Sequence, residues 1–220
     1  MIRRGTGLLL ALSLVISIAT GCSAPPEGSP EWYFERAYQS GSKGQFEQAV
    51  REYTRAIDTN PNMAEAYINR AAAYASLEKF EQCIADCTKA VSLDPELALA
   101  YINRAYAHNA KGDYEKAIAD CGRAIEVDRS IAEAYVNRAR AYYGLGKLNL
   151  SVADCNRALE LNPSLALAYF HRALAYKKLD KKDEALTDFE KFIAMTDNPT
   201  LSETATYEIG QLSGEQEQSP

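Results

Sequence analysis

Residues 98–131 decide the fold. They read ALAYINRAYAHNAKGDYEKAIADCGRAIEVDRSI, and close copies of them precede and follow at a fixed step. Residues 64–97 and 132–165 align with them without a gap, so that tyrosine, Asn-Arg-Ala and Ala-Asp-Cys fall in register at a period of 34 residues. Each unit holds two amphipathic segments. This period predicts an array of helix hairpins in which each repeat buries its apolar face on the next.

Two weaker copies, residues 30–63 and 166–199, extend the array to five repeats over about four fifths of the chain. With position 1 placed at residues 30, 64, 98, 132 and 166, small and aromatic residues recur at fixed positions. In the second repeat these are Tyr67, Ala71, Tyr74, Phe80, Cys83, Cys87, Ala90 and Pro95. The pattern resembles the tetratricopeptide repeat (TPR) family. The resemblance implies an all-α, right-handed superhelical solenoid of five helix hairpins, followed by a capping helix at residues 200–212.

Each repeat is predicted to hold an A helix over its first fourteen or so positions and a B helix from about position 15 to 28. Glycine favours the left-handed conformation just past a helix end. Short turns are therefore expected at Lys43-Gly44, Leu77-Glu78, Lys111-Gly112, Leu145-Gly146 and Leu179-Asp180. Residues 213–220 are expected to form a disordered tail.

The N-terminus is a separate element. Arg3 and Arg4 precede an apolar run of about twelve residues, which fits a secretory signal better than a membrane span. The run ends at Ala19-Thr20-Gly21-Cys22, which resembles the lipobox of bacterial lipoproteins. The resemblance implies a signal peptide at residues 1–21, lipid attachment at Cys22 and a lipidated, flexible tether at residues 22–29, reaching about 25 Å at most. An uncleaved anchor and ordinary secretion are the alternatives.

A lipoprotein of this kind is expected in the bacterial cell envelope, held on a membrane by its acyl chains. Ser23, rather than aspartate, follows the cysteine, which by the same resemblance favours an outer membrane and the periplasmic side in a Gram-negative cell. The formal net charge of −6 argues against a nucleic-acid partner.

Four cysteines lie inside the repeats. Cys87, Cys121 and Cys155 share position 24, which predicts small buried core residues too far apart for disulfide bonds. Cys83 and Cys87 are one helical turn apart, so a bond between them or a metal site is the alternative, although no second cysteine pair supports a metal. No metal or cofactor is expected.

Every repeat carries arginine at position 7 and an acidic residue at position 23. The arginines are Arg36, Arg70, Arg104, Arg138 and Arg172, and the acids are Glu52, Asp86, Asp120, Asp154 and Asp188. Two antiparallel helices bring these positions to similar height, which predicts a ladder of ion pairs. The alternative is that the arginines bind an anionic ligand.

No catalytic residues are predicted, because His108 and His171 occupy different positions and no motif places a nucleophile or paired carboxylate beside them. The TPR resemblance instead implies a concave groove built from A-helix positions 2, 5, 6, 9, 12 and 13, which takes a partner's extended peptide or helix. The candidate groove residues are Asn69, Asn103, Asn137, His171, Tyr38, Tyr106, Arg140, Phe170 and Lys177.

Asn69, Asn103 and Asn137 share position 6, although asparagine within a helix costs roughly 0.5 kcal/mol relative to alanine. Their amides both donate and accept, which suits a peptide backbone, and they resemble the asparagine ladder in the repeat domain of O-GlcNAc transferases. A hydrogen bond from helix to helix is the equal alternative.

The predicted groove differs in charge at its two ends. Glu31, Glu35 and Glu65 lie in the first repeats, whereas Arg140, His171, Lys177 and Lys178 lie in the last. An acidic or carboxyl-terminal end of a bound segment is therefore expected at repeats four and five. The predicted function is that of a membrane-tethered adaptor for protein partners in envelope assembly or proteolysis. Self-association into a homo-oligomer through convex or terminal surfaces is the alternative.

Overall fold

The computed structural model describes residues 24–214, and within that range the protein is all-α, with eleven helices and no strand. The helices are α1 (Pro30–Ser42), α2 (Phe46–Thr59), α3 (Ala64–Ser76), α4 (Phe80–Leu93), α5 (Ala98–Lys111), α6 (Tyr114–Val127), α7 (Ala132–Gly144), α8 (Leu148–Leu161), α9 (Ala166–Lys178), α10 (Lys182–Met195) and α11 (Pro199–Ser213). The predicted fold class is confirmed. In residues 24–214, no helix has both the length and the apolar character needed to cross a bilayer.

The B helices begin later than the sequence predicted. All five start at position 17 and end at position 30, about two residues beyond the predicted limits. The cause is the residue at position 15, which has positive φ in every repeat: Gly44, Gly112 and Gly146, but also Glu78 (φ 57°) and Asp180 (φ 59°). A left-handed residue cannot continue a right-handed helix, so the B helix starts only after the turn has closed.

A side chain at position 31 shapes the turn that follows each of the first four B helices. The Oδ1 atoms of Asn60, Asp94, Asp128 and Asn162 each accept a hydrogen bond from the backbone N–H two residues later, at 2.8 to 3.1 Å. The third repeat has Arg129 where three others have proline, yet it keeps the same backbone bond to Asp128, which also accepts from the Ser130 hydroxyl at 2.6 Å. These bonds from Ser130 lower the pKa of Asp128.

The described residues divide into two compact units, residues 24–111 with α1 to α5 and residues 112–214 with α6 to α11. In both units the small residues at positions 8, 20 and 27 are fully buried, which lets the helices approach closely. In the first unit, Phe34 packs edge-on against Tyr53 at 5.5 Å between ring centroids. In the second, Phe170 packs against Phe189 and Phe192.

The last helix, α11, acts as the predicted cap of the second unit. Its first turn is closed by Asn198, whose Oδ1 accepts from the N–H of Leu201 at 3.1 Å, and Pro199 follows as the first helical residue. Ala205 is buried against the Phe189 cluster. The outer face is mostly polar, with Tyr207 65% exposed, as the end of a repeat array requires.

We expect Glu78→Gly to raise the free energy of unfolding by about 0.5 to 1 kcal/mol, because a side chain at positive φ strains the backbone and glycine removes that strain. Urea denaturation followed by circular dichroism measures the change. The matched control is Gly44→Ala at the same position of the first repeat, which should lower the stability by a similar amount. An unchanged or less stable Glu78→Gly variant would show that the left-handed turn carries no strain.

Candidate partner-binding faces

The predicted ion-pair ladder is present within the repeats. Nε and Nη2 of Arg70 donate to the two carboxylate oxygens of Asp86 at 2.7 and 2.8 Å. Arg138 with Asp154, and Arg172 with Asp188, repeat this bidentate geometry at the same distances. In the first repeat the Arg36–Glu52 contact is longer, at 3.7 Å, and the Arg36 side chain is 46% exposed. Bidentate, largely buried pairs of this kind fix the register of the two helices.

The same arginines also reach the preceding repeat, at its position 25. Nη1 of Arg70 donates to the Thr54 hydroxyl at 2.9 Å, Nη1 of Arg104 to the Thr88 hydroxyl at 3.1 Å, and Nη1 of Arg172 to Oδ1 of Asn156 at 2.6 Å. Sequence reasoning missed this contact, although a hydrogen-bonding residue recurs at position 25. The exception is Gly122, which has no side chain to offer Arg138.

Aromatic rings at positions 4 and 11 flank the arginines. The guanidinium carbon of Arg70 lies 5.6 Å from the ring centre of Tyr67 and 5.9 Å from that of Tyr74, and Arg138 and Arg172 have equivalent tyrosine pairs. Stacking and hydrogen bonding together engage the guanidinium groups within the protein. The geometry therefore supports the structural role of the ladder over the binding of an anionic ligand.

The four cysteines of the repeats are free and fully buried, as predicted for small core residues. The Sγ atom of Cys83 donates to the backbone oxygen of Asn103 at 3.6 Å. Burial raises the pKa of the thiols of Cys87, Cys121 and Cys155, so they stay protonated. Among the described residues, no three His, Cys, Asp or Glu side chains are arranged to hold a metal ion.

The three asparagines at position 6 are buried, with exposed fractions of 5% for Asn69, 3% for Asn103 and 4% for Asn137. Side chains that bind a ligand at an open surface would be more exposed. Nδ2 of Asn137 donates to the backbone oxygen of Glu133 at 3.1 Å, one turn back in α7. Within residues 24–214, Nδ2 of Asn69 and Oδ1 of Asn103 have no hydrogen-bond partner. The asparagines thus lie in the core beneath the predicted groove, and the unpartnered amide atoms of two of them are themselves buried.

Two of the predicted groove residues in α9 have different surroundings from those expected. Phe170 is a core residue, 7% exposed, because position 5 turns inward between the helices, and it offers no surface to a ligand. The imidazole of His171 contacts the Phe170 ring edge-on at 5.6 Å. Burial, with a further contribution from the positive charge of Arg140, lowers the pKa of His171 to about 3. His171 is therefore neutral at physiological pH and adds no positive charge.

Lys177 forms an ion pair with Glu208 of the capping helix. Sequence reasoning missed Glu208, but continuing the 34-residue register beyond residue 199 would have placed it at position 9 of a further A helix, beside position 12 of α9. Lys178 lies over the ring of Tyr143, 4.3 Å from its centre. With Lys177 neutralised and His171 uncharged, α9 carries much less free positive charge than predicted.

Position 9 of the predicted groove holds half-buried side chains, whereas positions 2 and 13 are exposed in several repeats. In the first unit the half-buried side chains at position 9 are Tyr38, Ala72 and Tyr106, and the Tyr106 ring packs edge-on against Phe80 at 6.3 Å. In the second unit they are Arg140 and Leu174. The lipid-attachment candidate, Cys22, lies outside the described residues.

Three family models match the chain. The tetratricopeptide repeat model matches residues 64–97, 98–131 and 132–165, a TPR repeat model matches residues 42–78, and another tetratricopeptide repeat model matches residues 166–199. No curated protein sequence matches significantly.

Solved structures share the fold. A thermophilic TPR protein of Thermus thermophilus is 20% identical, with a TM-score of 0.70 over 81% of this chain and 98% of that one. MamA is 24% identical, with a TM-score of 0.62 over 78% and 96%. YrrB, described as a TPR protein with an unusual peptide-binding site, is 19% identical, with a TM-score of 0.60 over 82% and 93%. At these identities the likeness concerns the fold.

We expect Gly122→Thr to raise the free energy of unfolding by about 1 kcal/mol. Glycine inside a helix is destabilising, and a Cβ at position 122 would meet nothing within 4 Å. The threonine hydroxyl would in addition accept a hydrogen bond from Arg138. Gly122→Val is the matched control, because valine has the shape of threonine without the hydroxyl and should give less than half the gain. Equal stability of the two variants in thermal denaturation would show that Arg138 gains nothing from an acceptor at position 25.

Proposed function

Because the protein belongs to the tetratricopeptide repeat family, we propose that it is a protein-binding scaffold whose concave A-helix faces hold an extended segment of a partner. We further propose that a lipid on Cys22 tethers it to a membrane of the bacterial cell envelope, with the repeats facing the periplasm if the cell is Gram-negative. No catalytic role is assigned.

One observation carries the binding proposal: the arrangement of rows on the concave face of the first unit. Position 9 presents half-buried Tyr38, Ala72 and Tyr106, above the buried Asn69 and Asn103 of position 6. The two tyrosines would give a partner segment apolar contact area and a hydroxyl each.

The position of the chain before α1 supports an array that works close to the membrane. Ala24 and Pro25 line a cavity of about 490 Å³ together with Trp32 and Gln39 of α1. The first described residues are therefore already next to the first repeat. Only two residues separate Ala24 from the end of the predicted signal peptide, so a lipid on Cys22 would hold the first repeat near the bilayer surface.

We expect the double variant Tyr38→Ala/Tyr106→Ala to lose most crosslinks to its partner in the native cell, because both tyrosines lie in the accessible row of one concave face. Crosslinking and mass spectrometry on wild type and variant measure the loss. The matched control is Tyr207→Ala, which removes an exposed tyrosine from α11 and should leave the crosslinks unchanged. Circular dichroism confirms that each variant is folded. If both variants keep the same partners, binding belongs to the convex faces or the terminal helices.

For the tether, we expect wild-type protein to incorporate an alkyne-labelled palmitate analogue and to remain in the membrane fraction after a high-salt wash. Cys22→Ala should lose the label, because the thiol is the acceptor of the acyl group. Cys83→Ala is the control for labelling at a buried thiol. Equal labelling of wild type and Cys22→Ala would contradict lipidation at this cysteine, and a labelled protein in the soluble fraction would contradict the tether.

A further inference from the structure

The outer face of α1 has no helix packed against it within residues 24–214. In every later repeat, the A helix lies against the B helix of the repeat before it. The arginine at position 7 marks this side of the A helix, as Arg70 shows by donating to Thr54 of α2. On α1, the first described helix, the same side is uncovered. We call this surface the end face, and it consists of Trp32, Arg36, Gln39 and Lys43.

The end face differs in composition from its equivalents in the other repeats. Positions 3 and 10 lie on the same side of the A helix as position 7. Both are alanine in all four later repeats, and at most 5% of any of these alanines is exposed. Their small size lets the preceding B helix approach closely. In the first repeat these positions hold Trp32, which is half-buried, and Gln39, which is exposed.

An indole at position 3 prevents a B helix from packing at the distance that alanine allows. The end face is therefore not shaped to receive a further repeat, or a second copy of the chain stacked in the same register. A surface that is uncovered, carries the single tryptophan of the chain and is closed to helix stacking requires a different kind of neighbour.

The chain that precedes α1 lies on this same face. Ala24 and Pro25 line one cavity together with all four residues of the end face, and Pro25 is half-buried there. In the lipoprotein that we propose, only Cys22 and Ser23 precede Ala24. Two residues of extended chain span about 7 Å. An acylated Cys22 is thus held within about 7 Å of the cavity that Trp32 lines.

Trp32 has the chemistry of a residue at a membrane–water interface. Its indole combines a large apolar ring with one N–H donor, and such side chains are enriched at the level of the lipid headgroups. The guanidinium carbon of Arg36 lies 4.4 Å from the ring centre. The indole N–H forms no hydrogen bond within residues 24–214. Because Glu31 and Glu35 offset the charges of Arg36 and Lys43, the attraction comes from the indole rather than from net charge.

From the uncovered face and the position of the chain before α1, we infer that the end face lies against the bilayer surface with the Trp32 ring among the lipid headgroups. This inference rests on the proposed tether at Cys22 and adds the face of the protein that meets the membrane. The headgroup layer is roughly 5 to 8 Å thick on each side of a bilayer, which matches the reach of the two residues before Ala24. The contact fixes the orientation of the first repeat, which a lipid alone would leave free to rotate.

The test uses the mature protein purified from membranes and reconstituted into phosphatidylcholine vesicles. Trp32 is the only tryptophan of the chain, so its fluorescence reports on the end face alone. Bromine quenches an indole only at close range. We expect the fluorescence to fall by about half when the phosphatidylcholine carries bromine near the headgroup end of its acyl chains, because the indole lies at that depth.

The matched control is Trp32→Phe/Gln82→Trp, which moves the single tryptophan to an exposed position of α4, three helices along the first unit. Its fluorescence should not change with bromination, and circular dichroism confirms that it is folded. Flotation with the vesicles shows separately whether each protein is attached to the membrane.

Unquenched wild-type protein that floats with the vesicles would overturn the inference and leave the lipid tether standing. Protein that carries no lipid and does not float would overturn both. Equal quenching of wild type and control would also overturn the inference, because the contact would not be specific to the end face. Unquenched Trp32 in a protein whose molar mass in detergent is that of two copies would assign the end face to a second copy instead.

Discussion

The arginine at position 7 is the residue on which the scaffold depends. Arg70 shows the regular form. It donates two hydrogen bonds to Asp86, at position 23 of its own repeat, and one to Thr54, at position 25 of the preceding repeat. Its guanidinium group also lies near the rings of Tyr67 and Tyr74, at positions 4 and 11. One side chain therefore fixes both the hairpin and its junction with its neighbour. A largely buried ion pair adds little net stability but is costly to break, because the remaining charge is left without a partner. The ladder thus specifies register more than it stabilises.

This arrangement separates the residues that hold the array together from those left for a partner. Positions 4, 7, 11, 23 and 25 form the polar scaffold, and positions 5, 8, 20, 24 and 27 are buried. What remains on the A helices is the concave set at positions 2, 6, 9 and 13, where the repeats differ most in charge and size. Tyr38, Ala72 and Tyr106 share one position, yet they differ widely in volume. Variation there would change the proposed binding surface without disturbing the scaffold, as in repeat arrays whose exposed faces differ while their packing positions stay the same.

Much of this was predictable from the sequence, since a 34-residue period fixes which positions meet. The ion pairs, the left-handed turns and the burial of the cysteines follow from that register. The limits of the B helices do not follow from the register. Glu78 and Asp180 adopt positive φ, whereas the sequence predicted only that a turn lies there. The burial of Phe170 and of the three asparagines did not follow from the register either. Whether a side chain beside the groove is buried or exposed depends on the rotation of the helix about its own axis. The partner of Lys177 follows only when the register is continued into α11, where Glu208 falls at position 9.

The unpartnered amide atoms of Asn69 and Asn103 depart from the rule that buried polar groups are hydrogen-bonded. A sequence selected for stability alone would place an apolar residue at these positions. Asn137 shows that the local alternative exists, because its amide is used within its own helix through Glu133. At Asn69 the carbonyl one turn back belongs to a glutamate as well, yet Nδ2 is not paired with it. The same residue in the same register is thus hydrogen-bonded within its own helix at Asn137 and lacks that bond at Asn69.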